Sequence, residues 1–289
     1  VSSLKPYIQL TRPANLVTAV SDILAGMAIA QFTFADLSAG LLVVSTLGLY
    51  GGGVVMNDVF DAKLDSIERP ERPIPSGKVP LRSATLMGIS LLFLGVLAAA
   101  MFGFTSGMIA LVVAVLTVVY NRFAKHSVFL GPLFMGLCRG GNLLLGMSVV
   151  PESFDKWGWI ALLPIAYIGA ITLISQDEVH GGKRRTLYIA AFLYLIVLAS
   201  QLAIARSQGN ILLTLPFVLL HAWLIGRPLW NAVRNPVGPM IGKAVKAGVI
   251  YLIVMNASWC VAFGLWPVAL AVMALLPLSI WLAKAFAVT

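Results

Sequence analysis

Charge is what this chain has least of. Only 11% of its 289 residues are Asp, Glu, Lys or Arg, against about 25% in soluble domains. That scarcity excludes a water-soluble globule built around one core. Acids are rarer than bases, 11 against 20, leaving a net charge of +9. In so apolar a chain the excess reports orientation in a bilayer, and no nucleic-acid partner is expected. Cysteine is almost missing. Cys138 and Cys260 both lie in apolar runs without CxxC spacing, which excludes a disulfide framework or a zinc ribbon. The opening VSSLKPYIQLTRPANLV is polar and basic and then enters an apolar run. It has no small-residue cleavage site, so no cleavable signal is expected.

What is present is hydrophobic: 60% of the residues, with a mean hydropathy of +0.94. A spanning helix takes about 20 apolar residues. Runs of that kind fall at 14–35, 38–60, 83–104, 106–122, 128–150, 157–178, 186–206, 210–230 and 243–263. A tenth, 266–286, either spans or lies against the others. The expected fold is all-α: a polytopic bundle of nine transmembrane helices plus that tenth segment, one domain over 1–289. The breaks are short except 61–82 and 231–242, which leaves no room for a soluble domain.

The basic residues set the sides. Lys5 and Arg12 precede the first run, and Lys63, Arg69, Arg72, Lys78 and Arg82 fill the second loop. Every other Lys or Arg alternates onto the same side except Lys156, Arg206 and the intramembrane Arg139. Such asymmetry marks that side as cytoplasmic and an inner (cytoplasmic) membrane as the location.

On that side stands NDVFDAKLDSIERPERPIPSG, Asn57 to Gly77. Asp58, Asp61 and Asp65, at i, i+3 and i+7, fall within about 60° of one helix face and span about 10 Å. One bare ion cannot bind all three. Hard cations such as Mg²⁺ that bridge carboxylates to a ligand's phosphate oxygens suit the spacing. Arg69, Arg72 and Lys78 follow as phosphate-matched donors. Acid for metal and then base for phosphate reads as a diphosphate site; the plain alternative is a solvated loop of mixed charge.

SQDEVHGGKRRT, Ser175 to Thr186, repeats the order. Glycine caps and cations suit a helix C-terminus. Two acids there do not, so Asp177 and Glu178 point to a metal or a basic partner. His180 is a candidate base, while His126 and His221 read as interfacial hydrogen-bonders. Arg139 and Asn142 sit midway along the fifth run and Asp22 in the first, with Asn15 seven residues earlier on nearly the same face. Ionisable groups in a bilayer face a cavity or a partner. An Asp22–Arg139 ion pair and contact of Arg139 and Asn142 with a ligand are both open readings. Gly48 with Gly52, Gly103 with Gly107, and Gly136 with Gly140 fit the small-xxx-small spacing of close helix packing.

NDVFDAKLD with its RPERPIPSGKVP continuation resembles the NDxxDxxxD and Arg-Pro…Pro-Ser-Gly run of the UbiA-type intramembrane prenyltransferases. LTRPAN, the Tyr120…Lys125 segment and the acidic-then-Gly-Lys-Arg-Thr stretch extend the likeness over most of the chain. SQDEVHGG and CRGGNLLLG look most like the UbiA-like branch of ebo gene clusters, EboC, associated with handling secondary metabolites. The resemblance implies a lipid-accessible cavity in which two acidic motifs hold Mg²⁺ and an isoprenyl diphosphate, whose prenyl group passes to a hydrophobic, often aromatic, acceptor. Asp58, Asp61, Asp65, Asp177 and Glu178 would be the metal ligands. Asp58, Asp61, Glu178 and Arg139 would carry catalysis, and Asn15, Asn57, Arg72, Lys78, Tyr120, Lys125, Asn142 and Lys183 would bind substrate. Phe60, Phe134 and Tyr167 would wall the allylic cation. Two departures stand out. Ile174 replaces the earlier acid of the second motif, and the family's Tyr-xxx-Lys is one residue longer here. The second departure places Arg122 between the pair. A carrier that binds an isoprenoid without reaction is the alternative class; an ion-coupled transporter using Asp22 and Arg139 is a third.

Overall fold

Residues 4–34, 36–178 and 181–286 are described in the computed structural model. His180 lies outside them. Regular structure among the described residues is entirely helical: α1 (Leu4–Leu10), α2 (Pro13–Ile29), α3 (Gly40–Glu68), α4 (Leu81–Phe102), α5 (Phe104–Val119), α6 (Leu130–Met147), α7 (Ser153–Trp157), α8 (Leu162–Ser175), α9 (Arg184–Ser207), α10 (Ile211–Arg234), α11 (Gly238–Ile250), α12 (Leu252–Ala262) and α13 (Trp266–Ala285). Among the described residues eight helical stretches, α13 one of them, are long and apolar enough to cross a membrane; the protein is a multi-pass membrane protein. That differs from nine spans. At 17 residues α2 is short, and α6 is diluted by Arg139, Asn142 and its glycines.

Several boundaries move for local reasons. The first run stops at Ile29 rather than 35, because Gln31 and Phe34 take left-handed backbone (φ 58° and 57°). The second continues to Glu68, so the whole acidic motif is helical. The ninth is two rods, α11 and α12, interrupted at Tyr251. The carbonyl of Gly248, beside that break, accepts a hydrogen bond from Tyr167 Oη at 3.0 Å. At the far end, Asp36 caps the short turn before α3 by accepting from the N–H and hydroxyl of Ser38, which hold its carboxyl below the usual carboxylate range.

Helices approach through glycines, because a bilayer gives little hydrophobic drive between apolar surfaces. A Cβ on Gly48 would lie 2.6 Å from the Leu91 carbonyl and one on Gly52 2.8 Å from that of Gly88, so α3 and α4 pack backbone to backbone. Gly136 and Gly140 seat the Ile165 turn of α8 against α6 in the same way. Gly103 does not belong to this set; a Cβ there would meet nothing, and the residue forms the break between α4 and α5. Gly48→Ala is expected to force the two backbones apart and cost about 1–3 kcal/mol. Gly226→Ala, which meets open space, should not. Thermal denaturation in micelles checks both.

The loops assigned to the basic side do meet at one end. Lys125 pairs with Asp61, Arg12 with Asp58, and the Gly182 N–H donates to the Pro236 carbonyl at 3.1 Å.

Candidate active site

The site forms where α3 leaves the apolar layer. After Glu68 the chain RPERPIPSG cannot continue a helix, since Pro73 and Pro75 lack the N–H and Gly77 turns at φ 73°. Ile74 and Val79 instead fold back onto Leu10, Val55 and Ala84. This return brings Arg72 over the acidic face of α3. Its Nη1 donates to Asp65 Oδ2 at 2.8 Å and lies 3.5 Å from Asp58 Oδ1. From the opposite side Arg12 Nη2 reaches Asp58 Oδ1 at 2.7 Å. Arg12 is the residue before α2 and sits in left-handed backbone (φ 48°, ψ 69°). Following Pro13 disfavours the right-handed helical alternative there, and the bent entry aims the guanidinium at α3. Lys125 completes the set on Asp61.

Tyr120 and Lys125 reach the same site despite their extra residue. Tyr120–Ala124 form a π turn in which the Lys125 N–H bonds to the Tyr120 carbonyl at 3.0 Å. An i→i+5 turn holds one residue more than an α turn and is frequent at functional sites. The additional residue is thereby absorbed: Tyr120 lines the cavity below, and Lys125 contacts the first motif. Asn57 donates to Asn121 Oδ1 at 2.9 Å, and Asn121 donates to the Gly53 carbonyl at 3.1 Å.

Behind this mouth lies a cavity of about 350 Å³. Arg12, Asn15, Asn57, Tyr120 and Asn121 form its entrance side, and apolar residues of α3, α5, α8, α11 and α12 form most of the wall. Arg139 and Asn142 of α6 line it too. The ion-pair reading of Arg139 holds, and the residue also lies where the ligand reading needs it, on the cavity wall. Its Nε is 2.6 Å from Asp22 Oδ2 and its Nη2 donates to Thr18 at 2.9 Å, yet it also borders the cavity, over the Tyr50 ring at 5.6 Å. A second cavity of about 330 Å³ shares Arg12 and Asn15 and adds Arg72, Lys246 and Glu178.

Other predicted site residues lie elsewhere. Asp177 Oδ2 accepts from Thr186 at 2.9 Å, which answers the puzzle of an acid at a helix end by tying it to the first turn of α9. Lys78 and Lys183 are exposed and border neither cavity. Phe60, Phe134 and Tyr167 do not wall the cavity; Tyr50, Tyr120 and Met135 do. His221 is buried rather than interfacial, 3.2 Å from Tyr167 Oη. Arg12, Tyr50, Asn121 and Lys246 are the site residues that sequence reasoning left out. LTRPAN held the signal for Arg12, a cation directly before a proline-started helix.

The donor set suits Mg²⁺. Among the described residues no three His, Cys, Asp or Glu side chains converge into a cage. Mg²⁺ seldom needs one, taking one or two carboxylates together with substrate phosphates. Asp58, Asp61 and Asp65 each bond to their bases through a single oxygen, Oδ1, Oδ1 and Oδ2 respectively. The second oxygen of each remains a hard donor. Arg72 Nε, buried and without a partner, is a donor placed beside them.

A model of the UbiA prenyltransferase family matches residues 19–239. The digeranylgeranylglyceryl phosphate synthase of Saccharolobus solfataricus is 31% identical over 175 residues, 60% of this chain and 61% of that protein. The synthase of Methanoregula boonei is 36% identical over 210 residues, 65% and 72% of the two. The match thus spans about three fifths of the length of the first of these relatives. A UbiA homolog from Archaeoglobus fulgidus, solved bound to GPP and Mg²⁺, superposes with a TM-score of 0.65 at 17% identity, covering 88% of this chain and 99% of that one. An apo UbiA homolog from Aeropyrum pernix K1 gives 0.66 at 16%, covering 84% and 96%.

Proposed function

This chain belongs to the UbiA prenyltransferase family, and from that premise we propose that it moves a prenyl group from an isoprenyl diphosphate to a hydrophobic acceptor within the membrane, with Mg²⁺ as cofactor. One observation carries the reading. Three carboxylates on one face of α3 each keep one oxygen on a base and one to spare, and though they do not themselves line the apolar cavity, their neighbours Arg12 and Asn57 do. Asp58, Asp61 and Asp65, with Asn57, would hold the ion, and Glu178, which lines the second cavity with Arg12 and Arg72, is a further candidate acid. When bound, Mg²⁺ would offset charge on the departing diphosphate.

The residues do the rest. Arg12, Arg72 and Lys125 supply charge-assisted donors to phosphate oxygens, and these strengthen as negative charge collects there. The allylic C–O bond breaks with its electron pair leaving on the diphosphate. The cation is then captured by the acceptor, which loses a proton. Tyr50 and Tyr120 line the cavity, and a ring face met by such a cation would be worth about 0.5–2 kcal/mol. The apolar wall keeps out water that would hydrolyse it. The mouth would face the cytoplasm of an inner membrane, where the basic loops lie. A non-catalytic carrier draws its support from the second motif, whose Asp177 is engaged with Thr186.

Purified protein given labelled farnesyl or geranylgeranyl diphosphate separates the two readings. Release of diphosphate with Mg²⁺ and none with chelator supports the enzyme. Tight donor binding indifferent to chelator, without release, supports the carrier.

A further inference from the structure

Resting on the reading above, we propose that the cavity admits a short allylic donor of about two isoprene units, and that Asn142 and Arg139 are the polar end wall that sets this limit. Several helices measure the depth independently. Cavity-lining residues run from Asn57 down to Leu49 on α3, from Tyr120 to Val113 on α5, from Met135 to Asn142 on α6 and from Ser175 to Ile168 on α8. Each stretch spans seven or eight helical steps, about 10–12 Å at the helical rise. An isoprene unit adds four chain carbons, about 5 Å at ordinary C–C bond lengths. Two units fill the tube, and a third meets the wall.

The wall is stiff, because its polar groups are tied to one another by an ion pair and hydrogen bonds. Asn142 Oδ1 accepts from Thr46 at 2.7 Å, and its Nδ2 donates to the Ala19 carbonyl at 2.9 Å and to Asp22 at 3.0 Å. Asp22 also binds Arg139 and accepts from Asn256 at 2.7 Å. Asn142, Thr46, Asp22, Arg139 and Asn256 are all at most 6% exposed. A methyl group pressed into this layer would have to displace hydrogen bonds that nothing else can replace. Asp22 and Asn256, which do not border the cavity, act as positioning residues for the wall.

The test is a donor series of dimethylallyl, geranyl, farnesyl and geranylgeranyl diphosphates, titrated with Mg²⁺ for affinity and for diphosphate release. Affinity should rise to geranyl and fall about tenfold or more for geranylgeranyl. Asn142→Ala should move the optimum toward farnesyl. Ile168→Ala, an apolar truncation at the same depth, should do the same should the first variant misfold. A tail leaving sideways into lipid would make geranylgeranyl bind as well as geranyl, and that overturns the proposal. So does an unchanged length profile in folded variants. Binding of no donor at any length overturns the prenyltransferase reading itself.

Discussion

Asp58→Ala is expected to lower turnover about 10²–10³-fold, the usual cost of losing one preorganised contact to a developing charge. Asp58 is the acid on which two cations converge, Arg12 at 2.7 Å and Arg72 at 3.5 Å. Its loss would remove a proposed metal ligand and also free Arg12 to swing, because nothing else on α3 holds that guanidinium. Arg72 keeps Asp65, so the loop over α3 should stay in place and the protein should remain folded. The effect should fall on both kcat and donor affinity. Asp177→Ala, by contrast, removes a contact to Thr186 at the start of α9 and should change turnover less than about threefold. Steady-state kinetics on the two variants side by side make the comparison. Equal losses would place the second motif in the chemistry after all.

The largest stability effect should come from Asp22→Ala. Its carboxylate is 1% exposed and receives Arg139, Asn142 and Asn256. Breaking a buried pair by removing one partner costs about 3–5 kcal/mol, because a charge is left without compensation. One N–H of each amide is stranded as well, the other staying on the Ala19 carbonyl for Asn142 and on Ser21 for Asn256. Replacing both members, Asp22→Leu with Arg139→Met, should recover much of the loss, since the remaining penalty is packing and two lone amides. Thermal denaturation in micelles across the two single variants and the double gives the coupling. Additive losses would mean that the pair is not a stabilising unit.

Much of this was legible in the chain because membrane physics is written in composition. Apolar runs of the right length located every long helix, and lysine and arginine placed the loops that do meet. The acidic motif was legible because helical spacing puts Asp58, Asp61 and Asp65 on one face whatever surrounds them. Long-range pairing was legible only for Asp22 and Arg139, two ionisable groups deep in apolar runs. Nothing near Asp58 in sequence announces Arg12, 46 residues away, since that contact depends on a left-handed residue before Pro13 and on how α2 crosses α3. The cavity wall escaped for a similar reason. Tyr167 and Phe134 lie on apolar helices like Tyr50 does, and only the rotation of each helix decides which ring faces inward. The extra residue between Tyr120 and Lys125 looked like a departure because spacing was counted on an α-helix, and a π turn changes the count.

The most direct test of the central claim is the position of Mn²⁺, substituted for Mg²⁺, in a structure determined with a non-hydrolysable allylic diphosphate. The account predicts anomalous signal between the α3 carboxylates and the diphosphate, with Arg12, Arg72 and Lys125 contacting phosphate oxygens. Metal found only beside Asp177 and Glu178, or none while the Arg12–Asp58 and Lys125–Asp61 pairs persist under bound ligand, would contradict it.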